Sequence, residues 1–301
     1  MVDPIAFHSV RNLPLGVFLC GRVGHMSVPM KQAKVRLYVE QGLGEGQTIP
    51  LTKEQAHYLF GVMRMAVDDP VLLFNGRDGE WRCAVTVANK RNGELVCEAQ
   101  TKPLQMPPDL WLCFAPIKKA RTDFIVEKAA EMGAARIVPV NTDFTNSERI
   151  RQDRLQAHAV EAAEQCGGTY VPEVSDLVKL DRLLAEWPEG RQLMFCDEAE
   201  VGEQLWLEAL PSDRPEGGRE APARGGGSGA DRIASGPIPG KDGRPWAILI
   251  GPEGGFSEAE RDRLKALPFA HVVSLGPRIL RADTAAVAAM TLWQQSLGDW
   301  Q

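Results

Sequence analysis

The alternation of apolar and polar residues predicts a β-rich segment that begins at Val35. Apolar residues recur at every second position in several short stretches, as they do on half-buried strands. One helical pattern, residues 52–65, interrupts them. The predicted strands are VRLYV (35–39), VLLF (71–74), WRCAVTVA (81–88) and ELVCEAQ (94–100). Several strands and one helix in so short a segment indicate a small barrel-like module and not a catalytic core.

The pattern changes after KPLQMPP (102–108), which is typical of a stiff linker. From there, apolar runs that predict buried strands alternate with stretches that predict helices. The predicted strands are 110–116, 136–141, 193–196, 246–251 and 272–275, and the predicted helices are 122–132, 153–166, one after residue 251 and one ending near 297. This alternation predicts an α/β domain with a parallel sheet covered on both faces.

Two segments follow neither pattern. Residues 211–245 are rich in Gly, Pro, Ser and charge, so they cannot bury enough apolar area to order themselves. We expect a flexible insertion between two strands of one domain. Residues 1–33 precede the first periodic structure and are expected to be a disordered extension or a misassigned start, since Met26 and Met30 are alternative starts. The predicted division is a 1–33 extension, a 34–101 β-rich domain, a 102–108 linker and a 109–301 α/β domain.

Composition narrows the class of protein. With 44% hydrophobic and 25% charged residues the chain is typical of a globular protein, and no apolar run reaches the ~20 residues that cross a bilayer. The net charge of -6 means that nucleic acid would have to bind a local basic face. Six cysteines without a Cys-x-x-Cys pair favour a reduced, cytoplasmic compartment. Five histidines without metal-ligand spacing predict no metal site.

Two glycine-containing loops carry the candidate chemistry. The first, AILIGPEGGFSEAERDRL (247–264), runs from a buried strand through Gly251-Pro252-Glu253-Gly254-Gly255 to a Ser257/Glu260 capping box that starts a helix. The second, VVSLGPRILRADTAAVAAM (272–290), places two arginines in the loop before an Ala-rich helix that Asp283 or Thr284 can cap. Loops at the carboxyl ends of parallel strands border the crevice where open α/β sheets bind ligands. Together they predict a binding site for an anionic partner.

These motifs resemble a known family. IGPEGGFSEAE (250–260) followed by SLGPRILRADTAA (274–286) resembles the paired signature of the SPOUT methyltransferases. More narrowly, the chain resembles the enzymes that methylate N3 of a uridine in small-subunit ribosomal RNA. The resemblance extends to KKARTDFIVEKAAEMGAARIVPV (118–140), EAAEQCG (161–167), RLYV (36–39) and HYLFGVMRM (57–65).

The resemblance implies a fold and a set of partners. It implies a PUA-like RNA-binding domain followed by a SPOUT α/β domain whose carboxyl end forms a trefoil knot. It also implies S-adenosylmethionine as methyl donor, an obligate homodimer and small-subunit rRNA or the assembled 30S subunit as substrate. No metal is needed, because the sulfonium leaving group departs neutral.

The resemblance and the chemistry of the reaction together suggest site residues. N3 of uridine must lose its proton, so an arginine near O2 or O4 would stabilise the anion; Arg281 is the first candidate and Arg278 the second. Glu253, Glu164 and Asp283 are candidate bases or orienting groups that the sequence does not rank. The residues expected to meet the methyl donor are Gly251, Gly254, Gly255, Leu275, Gly276, Ile279 and Leu280.

Basic residues are candidates for RNA contacts. Lys118, Lys119 and Arg121 follow the carboxyl end of a predicted strand, which favours a phosphate contact. Arg36 and Arg64 are candidates in the β-rich domain, and Arg149, Arg151 and Arg154 extend the basic set. For any one of them, a solvated surface charge is the alternative.

Two other functions are compatible with these motifs. One is a SPOUT enzyme that acts on tRNA or on a ribose hydroxyl. The other is a non-catalytic RNA-binding protein or ribosome-assembly factor that keeps the fold. Glycines in both loops argue against the second, because a protein that binds no donor would not need them.

Overall fold

The computed structural model describes residues 31–147, 149–198 and 240–300, which form two sheets. Strands in the amino-terminal sheet pair in the order β1-β3-β4-β5-β2, with β1 and β3 parallel and the other pairs antiparallel. The elements are β1 (Val35–Tyr38), β2 (Thr48–Pro50), α1 (Lys53–His57), a π-helical turn (Tyr58–Val62), β3 (Pro70–Phe74), β4 (Glu80–Val87) and β5 (Glu94–Lys102). The order is open, with β1 and β2 at the edges, so pairing does not close the predicted barrel.

The helix predicted over 52–65 is shorter and less regular than expected. Only α1 is α-helical, and the chain then passes into the π-helical turn. Gly61 lies in that turn, and a Cβ there would come within 3.0 Å of the His57 ring. Leu59 and Phe60 are buried in the core of the sheet with Ile49 and Leu95. Burial of these side chains, and not helical regularity, therefore fixes the segment.

The second sheet is parallel, as predicted. Its strands pair in the order β12-β10-β11-β6-β7-β8, and β9 pairs with β7. The strands are β6 (Leu110–Phe114), β7 (Arg136–Asn141), β8 (Glu173–Val174), β9 (Val178–Lys179), β10 (Gln192–Cys196), β11 (Trp246–Ile250) and β12 (Ala270–Val273). The helices are α2 (Lys119–Glu131), α3 (Gln152–Cys166), α4 (Leu180–Ala185), α5 (Glu258–Lys265) and α6 (Ala282–Ser296).

Helices cover both faces of this sheet. In the central strand β11, Trp246, Ile248 and Ile250 pack on one face with α2, α3 and α6. Ala247 and Leu249 pack on the other face with α4 and α5. All five residues of β11 are buried, which accounts for its uninterrupted apolar sequence. The predicted α/β architecture preceded by a β-rich module is confirmed.

The carboxyl end of the predicted 211–245 insertion is ordered. Gly240 N donates to Arg244 O at 3.0 Å, and Lys241 N donates to Leu297 O at 2.8 Å. Asp242 Oδ2 accepts from Trp246 Nε1 at 2.9 Å. Residues 240–245 are therefore a structured turn and not part of a flexible insertion. The rest of the insertion, and all of the predicted 1–33 extension before residue 31, lie outside the described residues.

The described residues were also searched for membrane spans and metal clusters. None of their helices combines the length and apolar character that a bilayer crossing needs. They contain no group of three His, Cys, Asp or Glu side chains arranged to hold a metal ion.

Candidate active site

Three neighbouring strands end at one edge of the parallel sheet, where a cavity of about 300 Å³ opens. The loops that follow β10, β11 and β12 bound it, together with the first turn of α6. Its lining residues are Cys196, Asp197, Glu198, Ile250, Gly251, Pro252, Glu253, Ser274, Leu275, Gly276, Arg278, Ile279, Leu280, Arg281, Ala282 and Ala285. The two glycine-containing loops of the sequence therefore meet around one cavity.

The structure separates the residues predicted to bind the donor into two groups. Gly251, Leu275, Gly276, Ile279 and Leu280 line the cavity. The lining does not include Gly254 or Gly255. Gly254 and Gly255 were expected to contact the methyl donor directly, and the lining of the cavity does not support that expectation.

Glycines in the first loop accommodate the protein's own side chains. A Cβ on Gly251 would come within 2.7 Å of the Phe256 ring, and one on Gly254 would be 3.4 Å from Phe144 Cβ. Gly255 has φ +71°, and a Cβ there would collide with Glu198. Packing therefore explains the glycines at 251 and 255, whereas a Cβ on Gly254 would make only an ordinary van der Waals contact.

Gly276 in the second loop is different. Its φ of +110° lies in the region that favours glycine, and nothing lies within 4 Å of where a Cβ would be. Ser274 Oγ accepts from Gly276 N at 3.4 Å, which helps to hold the turn. This loop presents open backbone to the cavity, as expected of a ligand-binding turn.

The two predicted arginines line the cavity with exposed side chains. Arg278 and Arg281 form no ion pair with any residue that the structure describes. Arg281 is the N-cap residue of α6, so its side chain leaves the chain where the helix begins. Two unneutralised guanidinium groups at the mouth of a cavity are suited to an anionic partner.

Arg121 joins the two loops instead of projecting freely. Its Nη1 lies 2.6 Å from Glu253 Oε1, and its Nε lies 3.7 Å from Asp283 Oδ2. Of these three side chains only Glu253 lines the cavity. The predicted cap of α6 is wrong, because the helix begins at Ala282 after Arg281, and Asp283 Oδ1 accepts from the neighbouring Thr284 N. Asp283 is therefore linked to the cavity lining through Arg121.

Sequence reasoning missed the acidic loop after β10. Asp197 is fully buried, with Oδ1 3.1 Å from Arg261 Nε and Oδ2 3.7 Å from Lys265 Nζ. Glu198 Oε1 lies 3.4 Å from Arg261 Nη2. Burial, and then the charge of Asp197, raise the pKa of Glu198 above its ordinary value. The signal was available, since both residues directly follow the buried run LMFC.

Two other predicted site residues lie at a different place. Arg36 Nε is 2.7 Å from Glu80 Oε2, and its other nitrogens donate to the carbonyls of Ala163, Glu164 and Gly168 at the end of α3. Glu164 Oε1 accepts from Tyr38 N at 2.6 Å. Neither residue lines the cavity. The structure therefore argues against Arg36 as an RNA contact and against Glu164 as a base.

The remaining basic candidates differ in their surroundings. Arg64 follows the π-helical turn with φ +54° and an exposed side chain. Arg151 pairs with Asp153, and Arg154 pairs with Asp123. Lys118, Lys119 and Arg149 have no ion-pair partner in the described part of the chain, and they line cavities beside the first one. Among the basic candidates outside the first cavity, these three and Arg64 have charges that no described carboxylate neutralises.

Comparison with known protein families agrees with this architecture. A family model described as an RNA methyltransferase domain matches residues 104–218 and 228–294. A second model, described as an RNA methyltransferase PUA domain, matches residues 51–96. The two matches follow the order of the two sheets.

Relatives and solved structures cover most of the chain. Ribosomal RNA small subunit methyltransferase E from Rickettsia conorii is 26% identical over 256 residues, 85% of this chain and 93% of that protein. The protein of the same name from Bacillus subtilis is 26% identical over 269 residues, 85% of this chain and 94% of its own. A putative methyltransferase from Legionella pneumophila, solved with bound S-adenosylmethionine, is 25% identical with a TM-score of 0.70, covering 88% and 99% of the two chains. The chain, matched over more than half of its length, therefore belongs to the family of RNA methyltransferases.

Proposed function

We propose that this protein transfers a methyl group from S-adenosylmethionine to N3 of a uridine in small-subunit ribosomal RNA. The observation that carries the proposal is the cavity where the Gly251–Glu253 and Ser274–Arg281 loops meet, lined by Arg278 and Arg281, which no described carboxylate neutralises. The names of the relatives support the choice of substrate RNA. The resemblance of the two loop motifs to the uridine N3 enzymes supports the choice of atom.

The residues of the cavity fit the donor. A volume of about 300 Å³ lies at the lower end of the ~300–1,000 Å³ typical of small-molecule pockets. Ile250, Leu275 and Leu280 provide apolar walls, and Gly276 provides open backbone. Glu198 and Glu253 provide carboxylates in the lining of the cavity, which suit a positively charged ligand. When bound, S-adenosylmethionine supplies an electrophilic methyl carbon on a sulfonium that leaves as a neutral thioether.

The chain's own residues supply the rest of the chemistry. Uridine N3 attacks only after its proton is lost, and negative charge then spreads over O2 and O4. Arg281 stabilises that charge, and Arg278 supports it or holds the adjacent phosphate. Of the carboxylates considered for proton transfer, Glu253 is the one that lines the cavity. We therefore assign it the role of accepting the N3 proton or of orienting the uracil. Arg121 keeps Glu253 in place.

Replacement of Glu198 by glutamine tests the acidic side of the cavity. Because the pKa of Glu198 lies above its ordinary value of 4.5, the folded protein holds this carboxylate ionised at a cost near neutral pH. The cost disappears as the pH falls through that raised pKa. We expect Glu198→Gln to raise the unfolding temperature by about 2 °C, the shift that less than 1 kcal/mol gives in a domain of this size. We also expect several-fold weaker donor binding, because a negative charge near the sulfonium is lost.

Thermal unfolding at pH 5 and pH 8 and calorimetric titration with the donor measure both effects. The stability difference should be larger at pH 8. An unfolding temperature lower than that of the parent, or unchanged donor affinity, would contradict this assignment.

We also propose an organisation for the protein. Residues 34–101 form an RNA-binding PUA-like domain, residues 102–108 a linker and residues 109–301 a SPOUT domain with a trefoil knot. The enzyme is a homodimer in the cytoplasm, and the five described cysteines, all of which are free, support a reducing compartment. The small, apolar residues of α6 support a tightly packed helix.

A transfer assay tests the reaction and its atom. Purified protein is incubated with methyl-labelled S-adenosylmethionine and small-subunit RNA from cells that lack the gene, and the RNA is digested to nucleosides. We expect label in 3-methyluridine. Label in a ribose-methylated nucleoside or in tRNA would establish a different SPOUT reaction, and absence of label with both naked RNA and assembled subunits would refute catalysis.

A further inference from the structure

Phe144 is an exposed aromatic side chain that the fold does not use. Its side chain is 47% exposed, although it lies in a well-tethered loop after β7. Thr142 N donates to Thr145 Oγ1 at 2.9 Å, which closes the loop. Asp143 N donates to Glu260 Oε1 at 2.9 Å, and Ser257 Oγ donates to Asp143 Oδ2 at 2.6 Å. The start of α5 therefore holds the loop that carries the ring.

The position of Phe144 relates it to the reaction cavity. Its Cβ would be 3.4 Å from a Cβ on Gly254, the residue after Glu253. Two and three positions further along the chain, Asn146 and Ser147 line a cavity of about 230 Å³ together with Pro252 and Glu253. The ring thus lies next to the loop that forms one wall of the reaction cavity.

Unpaired cations surround the same region. Lys118 and Lys119 line the 230 Å³ cavity. Lys119 and Arg149 line a further cavity of about 300 Å³, which shares Ile117, Lys119 and Ser147 with the 230 Å³ cavity. No ion pair neutralises these three cations among the described residues. The two cavities form one basic groove, defined here by Lys118, Lys119, Ser147 and Arg149, that leads to Glu253.

Nearby carboxylates limit where a phosphate can lie. Asp143 is bound by Ser257, and Glu253 is bound by Arg121. Asp143, next to Phe144 in the chain, lines neither cavity of the groove, and of these two cavities Glu253 lines only the 230 Å³ one, with Lys118 and Lys119. A nucleotide that uses both features would therefore place its base on the ring and its phosphate in the groove.

The chemistry of the proposed reaction makes such a nucleotide necessary. N3 of uridine lies on the pairing edge of the base, so the target must be unpaired or extruded before it reacts. Its neighbours then lose a stacking partner, and proteins replace such a partner with aromatic side chains. Single scattered apolar side chains need no explanation, but an exposed ring beside a groove of unneutralised cations is the combination that single-stranded RNA uses.

We propose that Phe144 and the basic groove hold one unpaired RNA nucleotide next to the methylated uridine, with its base stacked on the Phe144 ring and its phosphate against Lys118, Lys119 and Arg149. This inference rests on the proposed function for the identity of the substrate. RNA binding at this nucleotide site can be measured without catalysis.

The ring is tested by two substitutions and a control. Phe144→Ala removes the stack, Phe144→Leu keeps apolar bulk without an aromatic face, and Phe124→Ala removes another exposed phenylalanine, on α2, whose ring centroid lies 5.5 Å from Lys128 Nζ. Binding of an unstructured single-stranded RNA oligonucleotide with a central uridine is measured by fluorescence anisotropy. We expect both Phe144 variants to bind about 5- to 150-fold more weakly, which corresponds to the ~1–3 kcal/mol of one base stack. Phe124→Ala should bind like the parent.

The groove is tested by salt dependence. Each phosphate that the protein neutralises contributes about 0.7 to the slope of log affinity against log salt for a single strand. Since one phosphate lies against the three cations, the triple variant Lys118→Gln/Lys119→Gln/Arg149→Gln should lower that slope by about 0.7. Arg182→Gln, on α4 and paired with Glu186, should leave it unchanged. An unchanged slope in the triple variant would refute the groove.

The outcomes separate this inference from the proposed function. If Phe144→Ala binds RNA as tightly as the parent, or if Phe144→Leu fully restores that affinity, base stacking on Phe144 is refuted even when the parent methylates rRNA. If the parent binds the oligonucleotide through Phe144 but transfers no methyl group, the proposed reaction is refuted and the nucleotide site is supported. Donor affinity, measured by calorimetry, should be the same in every variant, because none of these side chains lines the donor cavity.

Discussion

Replacement of Arg281 by alanine is expected to lower the rate of methyl transfer by about 100- to 1,000-fold, the loss seen when one preorganised group that stabilises a developing anion is removed. Arg281 lines the cavity, and no described carboxylate neutralises it. Its charge is therefore available to the uracil anion. Donor affinity should change little, because the backbone of the loop stays in place.

Single-turnover rates and calorimetric titration separate the two effects. Arg281→Lys should recover part of the rate, since it keeps the charge but loses the planar, forked donor geometry. Arg278→Ala is the matched comparison from the same loop, and its expected loss is smaller. A rate equal to that of the parent in Arg281→Ala would show that the anion is stabilised elsewhere.

Replacement of Arg36 by methionine is expected to destabilise the fold by about 3 kcal/mol, the lower end of the cost of breaking a buried ion pair, because Glu80 keeps a second cation, Lys102, whose Nζ lies 3.6 Å from its Oε2. Arg36 is largely buried, and Glu80 is almost completely buried. The guanidinium also caps the end of α3 through three carbonyls and lies 3.7 Å from the Phe74 ring centroid. One side chain thus ties the first strand to a helix of the α/β domain.

Urea unfolding measures this effect. Arg36→Met/Glu80→Leu should recover much of the lost stability, because removing both members leaves no unpaired buried charge. Arg182→Met, which breaks an exposed pair with Glu186, should leave the midpoint nearly unchanged. Equal midpoints for the Arg36→Met variant and the parent would contradict the assigned role.

The pair also makes stability depend on pH. Burial alone would raise the pKa of Glu80, but hydrogen bonds from Arg36 and Thr101 outweigh it and hold that pKa below its ordinary value of 4.5. A carboxylate with a lowered pKa stabilises the fold above its unfolded pKa. The stabilisation is lost as the pH falls through the folded pKa. The advantage of the parent over the double variant should therefore shrink below about pH 4.5.

Long apolar runs made the parallel sheet predictable. The strand WAILI is buried on both faces, and such strands read as continuous apolar sequence. Helix ends were marked by glycine, and Gly167 does have the left-handed conformation that ends α3. By contrast, β8 and β9 have two residues each, too few to show a periodic pattern.

The candidate site was predictable where chemistry depends on neighbours in sequence. Arg278 and Arg281 follow a strand end, so their place at the cavity could be expected. Contacts between distant positions could not be expected, and Arg36 is the clearest example, since its three carbonyl acceptors lie more than a hundred residues away. The same limit applies to Arg121, because one of its carboxylate partners, Glu253, comes from the first glycine-containing stretch and the other, Asp283, comes from the second.

The reasons for the glycines were also hidden from the sequence. Gly251, Gly254 and Gly255 were interpreted as positions where a ligand approaches the backbone. In the structure a Cβ on Gly254 would make only an ordinary contact with Phe144, but the missing side chains of Gly251 and Gly255 make room for Phe256 and Glu198. Only three-dimensional packing distinguishes such a glycine from Gly276, which faces open space.

Calorimetric titration of the parent and of Ala285→Phe with S-adenosylmethionine tests the central claim most directly. Ala285 lines the cavity on the first turns of α6, where a phenyl ring would occupy ligand volume. We predict one donor per chain for the parent and no measurable binding for Ala285→Phe, with both proteins folded by circular dichroism. Absence of binding to the parent at millimolar donor, or equal affinity in the two proteins, would contradict a donor site between these loops.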